Sequence, residues 1–421
     1  VQTCALPIWR VNKMTLFEDL KWRGLIQEVS NPEIEDKLNN DKITFYIGTD
    51  PTADSLHIGH YSSFLLAKRL KNAGHHPIML VGGATGLIGD PRGKGERPLE
   101  SFEKIHDNYI KLKNQVERIF GCETVNNYDW IKDINVIEFL RDYGKHFTIN
   151  YMLDKDKIRK QLDNGLSFTE FSYMILQALD YKHLYETKGV TLQVAGSDQW
   201  GNITSGIELI RKTLGVEVYG MTMPLVLDEQ GNKIGKSEGN AVWLDKEKTS
   251  PYFLYQYLLN TSDEVVIDYL KKLTLLSKEE IDELSESNEK EPHLRLAHKA
   301  LAREVVCDVH GKGEYEKVLK ISEALFSGNI KLLSKEELHD AFNNIPSCEI
   351  NSDKNIIDVL VETGICSSKR EAREFVSNNS ITVNGDRVND LEFIIKKENA
   401  MVDNFTIVRK GKKKYFVIKH K

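Results

Sequence analysis

Nowhere in these 421 residues is there an apolar run long enough to cross a bilayer, so no membrane role is expected. Cysteine is sparse: Cys4, Cys122, Cys307, Cys348 and Cys366 are scattered. They form no Cys-x-x-Cys pair, which excludes a zinc ribbon and a dense disulfide framework and fits a reducing cytosol. No long internal repeat is visible. The opening stretch Val1-Gln2-Thr3-Cys4-Ala5-Leu6-Pro7-Ile8 lacks the cationic start and long apolar core of a secretory signal. It back-translates in frame to a common sequencing-library adapter, so residues 1–13 are expected to be a non-native extension ahead of Met14. Genomic DNA encoding them upstream of Met14 would refute that.

What is present is an ordinary globular composition, 40% hydrophobic and 29% charged. The length exceeds one compact core and calls for about two to four units. The net charge of −6 conceals an asymmetry: from Asn351 to Lys421 there are 14 Lys/Arg against 10 Asp/Glu. That basic end is a candidate polyanion contact, or a solvated charged surface. From residue 43 to about 222, strand-like runs (Ile43 to Ile47, Pro77 to Val81, Val190 to Val194) alternate with helical segments. This predicts an α/β fold, a Rossmann-like parallel sheet whose ligand crevice lies beyond the carboxyl ends of the strands. Between 251 and 335 the spacing of Leu294, Ala297, Leu301 and Val305 predicts an all-helical domain. Residues 336–352 read as a polar linker, and 353–421 as a small α+β unit with Asn384-Gly385 at a hairpin turn. The catalytic domain is placed at 14–222, with a loop and linker over 223–250.

Phe45-Tyr46-Ile47-Gly48-Thr49-Asp50-Pro51 followed by His57-Ile58-Gly59-His60 reads as strand, turn and helix start. Two imidazoles at a helix N-terminus, where free amides and the dipole favour anions, suit nucleotide phosphates. Either histidine alone would read as structural. Lys233-Ile234-Gly235-Lys236-Ser237 puts two ammonium groups on a glycine-containing loop, able to close on a leaving pyrophosphate. In isolation it is only a polar loop.

Together these segments resemble the bacterial-type tyrosyl-tRNA synthetases, class I aminoacyl-tRNA synthetases, from about residue 14 to 421. His57 to His60 matches the HIGH motif of that class and Lys233 to Ser237 its KMSKS motif. Longer blocks are more specific: Asp50 to Leu56, Gly82 to Asp90, Phe168 to Tyr173 and Gly196 to Asn202. The resemblance implies that Tyr46 and Asp180 bind the substrate phenol and that Asp90, Tyr173 and Gln177 hold the α-ammonium group. It puts Asp198 and Gln199 near the ribose and the reacting carboxylate, with Gly48 and Asp50 lining the adenylate pocket. Thr52, His57 and His60 would meet the phosphates, and Lys233, Lys236 and Ser237 would close over pyrophosphate. Lys94 and Arg97 fall on a flap, in a loop a residue shorter than in relatives. Ile47 stands where relatives often carry a cysteine near the ribose.

A site that pairs a phenolic hydroxyl leaves buried polar groups unsatisfied when phenylalanine enters, and no inserted editing domain is evident. The terminal unit resembles a small RNA-binding domain shared with a ribosomal protein. It offers Lys369, Arg370, Arg373, Arg409, Lys410, Lys412 and Lys413 to tRNA backbone, with Arg211 and Lys212 as acceptor-end candidates. The implied activity is ATP-dependent activation of L-tyrosine and its transfer to tRNA(Tyr). Mg2+ would be carried on the ATP phosphates, with no protein-bound metal. The implied partners also include a second copy of the chain, as a homodimer, and the implied place is the cytoplasm. A tryptophanyl-tRNA synthetase shares class and motifs, but Tyr46 with Asp180 and the attached tail argue against it. A catalytically silent RNA-binding derivative would carry degraded motifs, and a nucleotidylyltransferase would lack the anticodon-side domains.

Overall fold

The structure, a computed structural model, describes residues 14–91, 98–162, 165–235, 241–342, 345, 347–401, 404–411 and 414–421. The expected extension 1–13 lies outside them, as do Lys94, Arg97, Lys236, Ser237, Lys412 and Lys413. Two compact units emerge, one of residues up to 244 with 262–297, the other of 245–261 with 298–421.

The first unit is built on six strands: β1 (Glu28–Val29), β2 (Thr44–Thr49), β3 (His76–Val81), β4 (Glu123–Asn126), β5 (Val190–Gly196) and β6 (Tyr219–Met223). Their order is β1-β6-β5-β2-β3-β4, parallel throughout except for β1, which runs antiparallel to β6. Helices cover parallel sheets on both faces, so the strands are continuous apolar runs, and in β2 Phe45, Tyr46 and Ile47 are all buried. The chain steps from β2 to β3 on one side and returns through β5 on the other. The order therefore reverses between β2 and β5, and at such a switch point the loops diverge and leave a crevice.

The helix after β2, Ile58–Asn72, buries Phe64, Ala67 and Leu70 as the periodicity predicts. The long helix Phe168–Lys188 starts on a Ser167 cap, its hydroxyl accepting from the Glu170 N–H, and stops at Gly189 with φ +66°. It carries Tyr173, Gln177 and Asp180 along one side at spacings of four and three residues, which aligns them over the crevice.

In the second unit, helices including Pro251–Leu259 and Lys312–Ser327 precede a five-stranded sheet in the order Asp386–Val388, Ile381–Val383, Phe405–Lys410, Lys414–His420, Ser347–Ile350. Asn384 and Gly385 both have positive φ, 52° and 89°, as the two-residue hairpin requires. Two expectations are corrected here. Leu294 is not part of the helix with Ala297, Leu301 and Val305, which runs Leu296–His310; Arg295 at φ 52° breaks the turn and leaves Leu294 37% exposed. The stretch read as a linker carries the helix Lys335–Phe342 and the strand Ser347–Ile350. Its polar composition hides the apolar set Leu338, Ala341 and Phe342, all buried. Among the described residues no helix is long and apolar enough to cross a membrane.

Candidate active site

At the bottom of the crevice stands Tyr46 on β2, 2% exposed, its hydroxyl buried with no hydrogen-bond partner among the described residues. Burial raises this phenol well above its ordinary value, and the nearby Asp180 carboxyl adds to the shift. Asp180 is 1% exposed and accepts from Asn127 Nδ2 at 3.0 Å and Trp130 Nε1 at 2.9 Å. Desolvation pushes its carboxyl up to about 8 against the pull of those two donors. An orphaned hydroxyl beside a buried carboxyl is an incomplete hydrogen-bond system, and a group that both donates and accepts would complete it.

The frame around Asp180 comes from residues that sequence reasoning missed. Asn126 and Asn127 end β4. Their side-chain oxygens accept from the amides of Gly83 (3.1 Å) and Ala84 (2.8 Å), locking the turn after β3. His183 stacks on Trp130 with ring centroids 4.4 Å apart, holding the indole in line with Asp180. For Asn126, Asn127 and Trp130 the one signal was position, at or just after the carboxyl end of a strand in the parallel sheet; His183, within the helix Phe168–Lys188, had none.

Above this floor lies a polar network. Asp50 accepts from Thr85 Oγ1 at 2.7 Å and from the Tyr173 hydroxyl at 2.8 Å. Asp90 accepts from Gln199 Nε2 at 3.0 Å, and Asn202 Nδ2 bridges Gln177 Oε1 at 2.9 Å and Gln199 Oε1 at 3.0 Å. The five candidates, proposed from different segments, thus fall into two clusters: Asp50 with Tyr173, and Asp90 with Gln199 and Gln177 through Asn202. Space constrains the first: a Cβ on Gly82 would overlap Thr85 Oγ1 and stand 2.5 Å from Asp50 Oδ1. Asp198 curls back toward Gly196, where a Cβ would lie 2.9 Å from its carboxylate. A cleft of about 810 Å³ opens from here, lined by Asp90, Asp198, Trp200, Asn202, Lys155 and Lys160 among others. Gly48 is exposed at the end of β2, as is Thr52 beyond it, while Ile47 is buried.

His57 caps the helix Ile58–Asn72: its Nδ1 accepts from the Gly59 N–H at 3.0 Å, and its own N–H donates to His60 Nδ1 at 3.3 Å. The rings stack at 3.9 Å. With both Nδ1 atoms accepting, a neutral ring carries its proton on Nε2, so both Nε2–H groups are donors turned away from the cap. Gly59 is needed because the His57 ring folds back over it and the Ile234 carbonyl approaches, 3.4 Å from where a Cβ would sit. The glycine loop thus lies against the histidines. Ile58 N–H donates to Val242 O at 2.9 Å, Gly235 adopts φ +77°, and a Cβ there would overlap Ile58. Lys233 anchors the near side of that loop through a bridge with Leu227.

The RNA candidates are less uniform. Lys369, Arg370 and Arg373 are exposed on one short helix, with Lys369 paired to Asp358 at 2.7 Å. Lys410 is half-buried, donating to Glu371 and to the Ile365 carbonyl, and Arg409 lies over the Tyr415 ring. Arg211 and Lys212 both pair with Glu208. Among the described residues no group of three or more His, Cys, Asp or Glu is placed to hold a metal ion.

A parallel sheet with a crevice at its switch point, a histidine-capped helix over it and a glycine loop against the histidines define a class I nucleotide-binding ligase. The comparisons agree. Residues 38–327 match the family described as tRNA synthetases class I (W and Y), and 337–418 the tyrosine–tRNA ligase SYY-like C-terminal domain. The chain belongs to this synthetase family. It is 52% identical to a tyrosine–tRNA ligase of Staphylococcus carnosus over 96% of its own length and 99% of the relative's. A C-terminally truncated mitochondrial tyrosyl-tRNA synthetase of Aspergillus nidulans superposes with TM-score 0.67 at 32% identity, covering 75% of this chain and 95% of that one. A tryptophanyl-tRNA synthetase of Encephalitozoon cuniculi, at 15% identity and TM-score 0.53, shares the fold.

Proposed function

We infer that this chain is a tyrosine–tRNA ligase, activating L-tyrosine with ATP and transferring it to the 3′-terminal adenosine of tRNA(Tyr). The observation that carries the substrate is the buried pair of Tyr46 and Asp180. A phenolic hydroxyl between them accepts from Tyr46 and donates to Asp180, and an indole has no oxygen to accept. Phenylalanine would leave the Tyr46 hydroxyl buried and unmet, at about 1–3 kcal/mol, and would give Asp180 no donor beyond Asn127 and Trp130. Asp90, Tyr173 and Gln177 take the α-ammonium group, leaving the carboxylate directed to the α-phosphate. Its attack forms the acyl–phosphate bond and expels pyrophosphate, whose charge His57, His60 and the loop from Lys233 to Ser237 stabilise. Rate then derives from alignment and charge stabilisation, with no covalent enzyme intermediate. Mg2+ would be carried on the ATP phosphates.

Exposed apolar side chains on the first unit support a homodimer through it: Val136, Ile137, Leu140, Ile149 and Phe168 are 51–72% exposed. Phe168→Arg should convert a sedimenting dimer to monomer, and a wild-type chain that sediments as monomer rejects the dimer. The exposed Lys369, Arg370 and Arg373 favour backbone contact with tRNA by the terminal unit. The described cysteines, all free, suit the cytoplasm. The deciding measurement is pyrophosphate exchange into ATP with each of the twenty amino acids. Tyrosine alone should support it; exchange with tryptophan and not tyrosine would overturn the assignment.

A further inference from the structure

Asn202, in the first turn of the helix Trp200–Leu214, is 7% exposed and has no place in the roles assigned so far. Its amide nitrogen faces three oxygens: Gln177 Oε1 at 2.9 Å, Gln199 Oε1 at 3.0 Å and Asp90 Oδ1 at 3.4 Å. An amide has only two N–H donors, so the three oxygens share them.

The direction of these bonds follows from one acceptor. Asp90 accepts from Gln199, which turns Nε2 toward it at 3.0 Å. That leaves Gln199 Oε1 facing Asn202, three residues further along the same helical face. Asn202 must then present Nδ2, and Gln177, meeting the same Nδ2, must present Oε1. A side-chain amide of Gln177 free to turn could as easily show its own NH2, which would repel a cation.

We propose that Asn202 is a positioning residue for the α-ammonium subsite. It transmits the polarity of Asp90 through Gln199 to Gln177 and holds the Gln177 carbonyl oxygen as an acceptor beside Asp90. The inference rests on the tyrosine–ligase reading, because it needs an ammonium ligand there. It concerns recognition of one substrate group and leaves ring recognition, by Tyr46 and Asp180, unaffected.

The test uses the full chain and two ligands, L-tyrosine and 3-(4-hydroxyphenyl)propanoate, which keeps the ring and carboxylate and lacks the amine. Binding is measured by calorimetry for wild type, Asn202→Ala and Asn202→Leu. Asn202→Ala should weaken tyrosine about tenfold, the worth of one hydrogen bond's orientation, with the propanoate within about twofold. Asn202→Leu keeps the bulk, adds no charge and removes the donors that orient Gln177, so tyrosine should weaken by a similar factor, again with the propanoate little changed. In exchange assays the loss should appear in KM for tyrosine and spare kcat at saturation. Equal weakening of both ligands, or of neither, would overturn the proposal, and the Leu variant decides it should the Ala variant not fold. Absence of tyrosine-dependent exchange in the wild type would instead sink the parent reading.

Discussion

Asp180→Ala should lower kcat/KM for tyrosine in pyrophosphate exchange by about 10³-fold or more. The change removes the acceptor for the phenol and at once orphans the N–H groups of Asn127 and Trp130, which now end on Asp180 at 3.0 and 2.9 Å. A phenol O–H buried without its carboxylate acceptor costs about 2–5 kcal/mol, which spans that loss, whereas the Asn127 and Trp130 N–H groups are unmet with or without substrate and lower stability instead. The ATP dependence should change little, since Asp180 is on the helix Phe168–Lys188 and the histidines are at the start of another, Ile58–Asn72. The wild type should also show a pH signature. Burial holds the empty-site carboxyl near 8, so below that it is neutral and must shed its proton before accepting from the phenol. Tyrosine binding is therefore coupled to proton release, and affinity should rise about tenfold between pH 6.5 and 8 and then level. Asp180→Asn should flatten the profile. A wild-type affinity that is constant over that interval would rule out the coupling.

His60→Ala should reduce kcat for adenylate formation by about 10²- to 10³-fold, the range for losing one oriented donor to a charge that grows in the transition state. KM for tyrosine should hardly move. Two losses combine: the Nε2–H donor goes, and so does the Nδ1 acceptor that receives the His57 N–H at 3.3 Å. Without it the stacked His57 ring, 3.9 Å away, loses its support at the helix start. His60→Gln, which can still offer an N–H, should recover part of the rate. Single-turnover formation of tyrosyl-adenylate is the measurement. A His60→Ala rate equal to wild type would remove the imidazoles from phosphate stabilisation.

Much of this was legible in the chain before any coordinates. The strand before Gly48-Thr49-Asp50, the strand before Gly82-Gly83 and that before Gly196-Ser197-Asp198 all end within two residues of where the apolar runs and glycines put them. The helix Ile58–Asn72 and the hairpin at Asn384-Gly385 were equally plain. Asn127, Trp130, His183 and Asn202 were not. The first three are polar or aromatic without a motif around them, Asn202 closes the block from Gly196 but carried no role there, and each acts only through another side chain. The segment 336–352 failed for the opposite reason, as its buried apolar residues Leu338, Ala341, Phe342 and Ile350 are too few to stand out from a polar composition.

The division follows from the range of the forces involved. Strand and helix periods, caps and positive-φ glycines are settled by neighbours a few residues apart, so residue order alone carried the alternating architecture and the two phosphate-facing segments. Which way an amide turns, whether a carboxyl is neutral, and that a hydroxyl at position 46 meets an acid at 180 are set by desolvation and by partners from 25 to more than 100 positions away. Only closing the sheet brings those groups together, and at that point burial makes an unmet polar atom costly enough to choose the ligand.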